Sequence, residues 1–188
     1  MEGCGKSSLA LTLAKIGPIA VIDTDQSLDR AQRPVMPKGR KFDVRSVPIK
    51  YKASLDDAET KASCKPAWHK ARKAALEAAQ GWAKGVIVDT GTEMWEVLRL
   101  GAFGTLTPKG LTKSLYGPVN AEFRNWARGI HRANGKHLVF VNQMKEKYVN
   151  DKPSGTMERT GFRELGYLCD MVLETFRTKQ GGFAVKVK

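Results

Sequence analysis

The chain opens Met1-Glu-Gly-Cys-Gly-Lys-Ser-Ser8 and passes at once into the apolar run Leu9 to Ile16. Gly5, Lys6 and Ser7 complete the second half of the phosphate-loop pattern Gly, four residues, Gly-Lys-Ser/Thr. The first Gly of that pattern, and the strand that leads into it, would precede Met1, so an upstream coding segment is expected. The residue types follow from the chemistry. Phosphate oxygens need several donors converging from a tight turn, and Gly3 and Gly5 allow close backbone approach and positive φ. Lys6 then reaches the β and γ phosphates, and the Ser7 hydroxyl suits Mg²⁺. The predicted nucleotide-binding set is Glu2, Gly3, Cys4, Gly5, Lys6, Ser7 and Ser8. A glycine turn that merely caps a helix is the plainer alternative, and it does not call for the Lys-Ser pair.

The 188 residues suffice for one domain with a substantial core. No apolar run approaches the ~20 residues of a membrane-spanning helix, and no signal peptide is visible. Cys4, Cys64 and Cys169 show no metal-binding spacing, and an odd count fits a reducing, cytoplasmic setting. Net charge is +13, with a pI near 9.8. Such an excess favours a polyanionic partner, nucleic acid first, against the alternative of an ordinary basic surface. It is spread along the chain: between Arg30 and Lys52 the sole acid is Asp43, and Lys109 to His137 is mostly basic.

Short buried strands alternate with helices. Pro18 to Ile22 is an apolar, β-branched run ending at Asp23, and an edge strand is predicted around Asp43 to Val47. Trp68 to Trp82 carries Ala71, Ala74, Ala75 and Ala78 at helical spacing, with Gly85 as its stop. Val86 to Val88 is a buried strand closing on Asp89. Gly101 to Gly117 reads as a mobile loop, Asn120 to Ala133 as a helix stopped by Asn134-Gly135, and His137 to Val141 as a further buried strand. Gln143 to Glu164 is long, polar and charged. Leu168 to Thr175 and Phe183 to Val187 are strands turned by Gly181-Gly182. This alternation implies an α/β fold, a mostly parallel sheet flanked by helices, ending in a β-hairpin. Ligands of such sheets lie beyond the strands' carboxyl ends. There the chain places Asp23 and Asp25, Asp89 and Thr90, Asn142 and Gln143.

Those residues form a constellation. Three apolar strand residues ending in Asp89 fit the acidic partner of a phosphate loop, which holds Mg²⁺ with Ser7; a plain turn carboxylate is the alternative. Asp25 is the candidate to polarise a water, and turn chemistry is the alternative for it and Asp23. Gln143 can donate its amide to a γ-phosphate and sense its loss; a polar strand cap is the alternative. Between Lys145 and Arg163, the basic residues Lys145, Lys147, Lys152, Arg159 and Arg163 interleave with Tyr148 and Phe162. That mixture can neutralise phosphates and stack bases, although Glu146, Asp151, Glu158 and Glu164 intervene, and a solvated loop is an equal reading on residues alone. Arg124, Arg128 and Arg132 form one helical stripe, read as a surface face. His69, His131 and His137 are isolated and are given no metal role.

Ala20-Val-Ile-Asp-Thr-Asp-Gln-Ser-Leu-Asp29, Gly85-Val-Ile-Val-Asp-Thr90 and Leu138-Val-Phe-Val-Asn-Gln143, in this order, resemble the RecA-type recombinase core. Tyr116-Gly-Pro-Val-Asn120, Glu146-Lys-Tyr-Val149 and Leu165-Gly-Tyr-Leu-Cys-Asp-Met-Val-Leu173 are similar to the RecA-like ATPases of phages that accompany single-strand annealing and recombination. The resemblance covers nearly the whole chain. It implies one RecA-like P-loop ATPase domain over residues 1–188, cut short at both ends, whose first strand would lie between those ending at Asn142 and Thr175. It implies ATP and Mg²⁺ as cofactors and a homo-oligomer, ring or filament. Single-stranded DNA and a single-strand-binding or annealing protein are the implied partners, in the cytoplasm, the host's if phage-encoded.

By position, Asp25 matches the family's catalytic acid, where RecA proper usually has the longer Glu, and Gln143 matches its γ-phosphate sensor. Met144 to Glu164 matches the loop that contacts single-stranded DNA, and Leu100 to Asn120 the second DNA loop. Lys186 and Lys188 match basic residues that reach a neighbouring subunit's nucleotide. The expected protein is a DNA-stimulated ATPase in which Lys6, Asp25 and Gln143 are catalytic and Ser7 and Asp89 hold the metal. Its rivals are a small-molecule kinase using Asp23 and Asp25, and a non-catalytic, nucleotide-dependent DNA-binding module.

Overall fold

The structure, a computed structural model, describes residues 5–26, 28, 43–107, 113–133, 135–149 and 152–187. Helix α1 (Lys6–Leu11) runs into a 3-10 turn (Thr12–Lys15), followed by strands β1 (Ile19–Asp23) and β2 (Val44–Pro48). Helix α2 (Asp57–Gln80), strand β3 (Gly85–Asp89), helices α3 (Gly91–Phe103) and α4 (Lys113–His131) and strand β4 (His137–Val141) come next. Two antiparallel hairpins complete the chain: β5 (Met144–Val149) with β6 (Lys152–Arg159), and β7 (Leu173–Arg177) with β8 (Phe183–Val187), joined by a 3-10 segment (Arg163–Leu168).

The four central strands form a parallel sheet in the order β2-β1-β3-β4. Every residue of β1 and β3 is buried, as expected of parallel strands covered on both faces. Alternation divides their side chains. Ile19, Val21 and Ile87 pack with Ala10, Leu11 and Ala14 of the first helical segment. Ala20, Ile22, Val86 and Val88 face α2, α3 and α4. That second layer is built on aromatic rings: Trp68 and Trp126 are 5.0 Å apart, as are Phe123 and Phe162, and Trp95 and Phe162.

Several expected boundaries move. Helix α2 begins well before Trp68 because Asp56 caps it, its carboxylate accepting from the N–H groups of Ala58 and Glu59 at 2.7 and 2.9 Å. It continues through Pro66 and stops before Trp82, which lies beneath the Arg45 guanidinium at 4.1 Å. Gly85 starts β3 instead of ending a helix. Within the expected loop from Gly101 to Gly117, residues 101–103 close α3 and residues 113–117 already belong to α4, which accommodates Pro118. In strand β4 His137 is exposed, Leu138 to Phe140 are half-buried and only Val141 is buried. The expected polar stretch Gln143 to Glu164 is an ordered hairpin followed by a 3-10 segment. No helix among the described residues is long and apolar enough to cross a membrane.

Candidate nucleotide site

The parallel register brings the site together. Asp23 pairs with Asp89 across β1 and β3, and Asp89 with Val141 across β3 and β4. The residues that follow, Thr24, Thr90 and Asn142, therefore emerge at one end of the sheet. Thr24 fastens two of these tips. Its N–H donates to the Asp89 carbonyl at 2.8 Å, and its hydroxyl lies 3.0 Å from that same oxygen and accepts from Thr90 N–H at 2.8 Å.

Gly5 stands immediately before α1 with φ 73°, a left-handed conformation that glycine adopts without strain. The ring of Phe183 from β8 covers it: a Cβ there would meet Phe183 Cδ1 at 3.4 Å. Lys6 and Ser7 begin the helix. The Ser7 hydroxyl hydrogen-bonds the Asp89 carboxylate, and Lys6 lies close enough to act on its charge. The sequence-predicted pair Ser7 and Asp89 thus meets at one point. Glu2, Gly3 and Cys4 of the predicted loop, and Lys188, lie outside the described residues.

Asp89 is 3% exposed. Burial pushes its carboxyl up, the Ser7 hydrogen bond and Lys6 pull it back, and Asp25 and Asp23 raise it further, to about 6. Its Oδ1 has no hydrogen-bond partner among the described residues. An orphaned carboxylate oxygen beside a serine hydroxyl fits a hard divalent cation, which takes oxygen donors and tolerates few protein ligands. Asp25 is exposed, Asp23 buried. Both lie near Asp89 and near Glu93 of α3, whose carboxyl is raised by burial, lowered by a hydrogen bond to Thr24 and raised again by Asp25, Glu96 and Asp23.

Glu93, on the sequence next in line with Asp23 as a base should Asp25 not serve, stands beside Asp25, Asp23 and Thr24. The signal was present: Thr90 and Glu93 carry the Thr-x-x-Glu spacing of a capping box. In the fold, Thr90 Oγ1 accepts from Glu93 N–H at 3.1 Å, so α3 starts directly at the tip of β3.

The candidate DNA residues separate into two groups. Lys145, Lys147 and Lys152 are exposed on the β5–β6 hairpin with Tyr148, and Lys145 pairs with Glu158 at 3.6 Å. Arg159 turns inward, donating to the carbonyls of Arg163 at 2.9 Å and Phe162 at 3.4 Å; it holds the base of the hairpin. Arg163 is exposed, as is Lys186 on β8. Gln143, exposed, sits between β4 and β5. In the second expected DNA segment, Arg99 donates to the Leu106 carbonyl and lies over the Tyr116 ring, fastening part of it to α3. On the arginine stripe, Arg124 pairs with Glu164, while Arg128 and Arg132 are exposed, as a surface helix face would be. Cys64 is buried and Cys169 partly so, with thiols raised by burial, in line with packing roles.

A phosphate-loop lysine and serine, an acidic residue at a parallel strand tip and helices on both faces define a P-loop nucleoside triphosphatase. The AAA domain family model matches residues 1–186. The chain belongs to that family: it is an AAA-type, nucleotide-dependent P-loop ATPase domain. A search of curated proteins returned no match.

Proposed function

We propose that this domain hydrolyses ATP with Mg²⁺ and works on single-stranded DNA, in strand annealing or recombination. The observation that carries the DNA part is the placement of the β5–β6 hairpin. It begins one residue beyond Gln143, at the phosphate end of the sheet, and presents Lys145, Lys147, Lys152 and Tyr148 to solvent. A strand of phosphates meets cations there, and an aromatic face can stack a base. The net charge of +13 supports a polyanionic partner.

In this reading Lys6 and the loop amides bind the phosphates, and Ser7 and Asp89 would hold the metal, which would supply charge compensation to the phosphates. Asp25 orients and deprotonates the attacking water, and Gln143 senses the γ-phosphate from the root of the hairpin. Lys186 reaches a neighbouring protomer's nucleotide in a ring or filament.

The test is phosphate release measured with and without an oligothymidylate. DNA-stimulated release supports the proposal. Release indifferent to DNA, with phosphate transferred to a small hydroxyl compound, would establish the kinase alternative. DNA binding that depends on ATP without release would establish a non-catalytic module.

A further inference from the structure

The base of the hairpin is closed by a ring of hydrogen bonds. Gln143 N–H lies 3.1 Å from Thr92 Oγ1; Thr92 Oγ1 lies 3.0 Å from Thr160 Oγ1; Thr160 Oγ1 lies 2.9 Å from the Gln143 carbonyl. Chemistry fixes the proton directions at the two backbone ends. An amide N–H only donates and a carbonyl only accepts. Thr92 therefore receives from Gln143 and Thr160 gives to the Gln143 carbonyl; between the two threonines either hydroxyl can donate, and the Thr160 carbonyl lies 3.4 Å from Thr92 Oγ1. A second bond, Thr160 N–H to the Gln143 carbonyl at 3.0 Å, doubles the last link.

The three segments that meet here come from different parts of the site. Thr92, 4% exposed, stands in the first turn of α3, three residues beyond Asp89. Gln143 precedes β5 and Thr160 follows β6, so the ring spans both roots of the hairpin. Two glycines permit the approach. A Cβ on Gly91 would lie 2.9 Å from Asn142 Oδ1, and one on Gly161, at φ 97°, would lie 3.1 Å from Thr92 Cα. Phe162, 2% exposed, anchors the outgoing strand among Trp95 and Phe123. Hydrogen bonds join Thr24 to Asp89 and Thr90, and Thr92 to Gln143 and Thr160, and the backbone through Gly91 links the two groups.

We propose that Thr92 and Thr160 are positioning residues that set the Gln143 backbone and lock the β5–β6 hairpin to the tip of β3, so that nucleotide state and hairpin conformation change together. The proposal rests on the hairpin being the DNA-contacting element only for its effect on DNA stimulation; the locking itself does not. A hydroxyl ring of this kind has two states, closed or broken, and a change in Gln143 or in the Asp89 tip biases it. That supplies the discrete element which coupling between two sites requires.

Threonine-to-valine changes keep the shape and remove the hydroxyl; serine restores it. Thr92→Val, Thr160→Val, the double variant, Thr92→Ser and Thr160→Ser are compared with the parent protein in two measurements. The first is steady-state ATP turnover against oligothymidylate concentration. Each valine variant should keep its KM for ATP within about threefold and lose most of its DNA stimulation, on the order of tenfold, the scale of one coupling interaction. The double variant should be no worse than either single one, because one break opens the ring. Serine variants should retain stimulation.

The second measurement is amide hydrogen exchange with and without a non-hydrolysable ATP analogue. In the parent, the amides of Gln143 and Thr160 should be protected, and the analogue should change exchange across β5 and β6. The valine variants should lose both effects and the serine variants keep them. If the parent shows no DNA stimulation but the exchange pattern holds, the DNA reading fails and the lock stands. Rapid exchange at Gln143 and Thr160 in the parent overturns the lock. So does a folded valine variant with parental stimulation and parental nucleotide response. Should the valine variants not fold, loss of stimulation in folded serine variants, or rapid parental exchange, still overturns it.

Discussion

The sheet end and the β5–β6 hairpin, which leaves it at the tip of β4, are opposite in physical character. At the sheet end, Asp23, Thr24, Asp89 and Thr90 are all at most 6% exposed and bonded across strands. On the hairpin, Tyr148 is 63% and Val149 50% exposed, and β6 is exposed over its first six residues. The buried end can hold charges at fixed separations, because a low-dielectric setting magnifies small displacements. The exposed hairpin gives up packing for reach, and its hold on the fold is concentrated at its base, where Arg159, Phe162 and the threonine ring converge. On the proposed function, chemistry is placed where the fold is buried, and contact with a long polyanion where it is open.

That division can be tested from its strongest side first. Lys6→Ala removes the lysine whose charge acts on Asp89 beside Ser7, and turnover should fall by on the order of 10³-fold or more, as when a phosphate-stabilising cation is lost. Retained turnover in a phosphate-release assay would remove the sheet end from the chemistry. Asp25→Asn should spare nucleotide binding, measured with a fluorescent ATP analogue, and lower turnover by roughly 10²-fold. If turnover is unchanged, the same measurement on Glu93→Gln finds the base.

Asp89→Asn should divide function from stability. In the fold, burial first of all raises the Asp89 carboxyl to about 6 from an ordinary 3.8. Between those values the folded chain holds a proton that the unfolded chain has released, so this group's contribution to stability falls as pH rises toward 6 and is fully unfavourable above it. The asparagine variant should therefore be more stable than the parent at pH 7.5 by roughly 1–3 kcal/mol, the gap closing toward pH 4, while Mg²⁺-dependent turnover is lost. Thermal unfolding against pH checks the sign. The smallest effect belongs to the hairpin. Replacing Lys145, Lys147 and Lys152 together by alanine should leave DNA-free turnover intact. It should flatten the salt dependence of single-strand affinity by about 2 at most in log–log slope, near 0.7 for each phosphate contact. An unchanged slope would make the hairpin a plain surface element.

Much of this was legible in the chain. Strands β1 and β3 are continuous apolar runs ending in aspartate, so their burial and the carboxylates at their tips could be read directly. Helix α3 was missed as an element, although Thr90 and Glu93 carry its capping signal, because Gly91 and Gly101 interrupt a short apolar pattern. The hairpin read as a loop because β5 and β6 lack the apolar alternation of a strand with one buried face. Their pairing depends on backbone bonds from Met144 to Val149 against Lys152 to Arg159, which side-chain periodicity does not report. Arg159 looked like its basic neighbours in sequence; only the fold turns it toward the carbonyls of Phe162 and Arg163.

By itself the sequence determined the class: a Gly-Lys-Ser loop, two aspartate-tipped strands and an amide after a third specify a phosphate site on a parallel sheet. These signals are local, carried by residue type and spacing within a few positions. The tertiary structure alone decided the connections. Asp23 stands opposite Asp89 because β1 and β3 run in parallel register, and Thr92, Gln143 and Thr160 close a ring although Thr92 and Thr160 are 68 positions apart. Such a ring leaves no periodic trace, since its members need only a hydroxyl or a backbone amide. It forms because two glycines let three chain segments approach to contact distance.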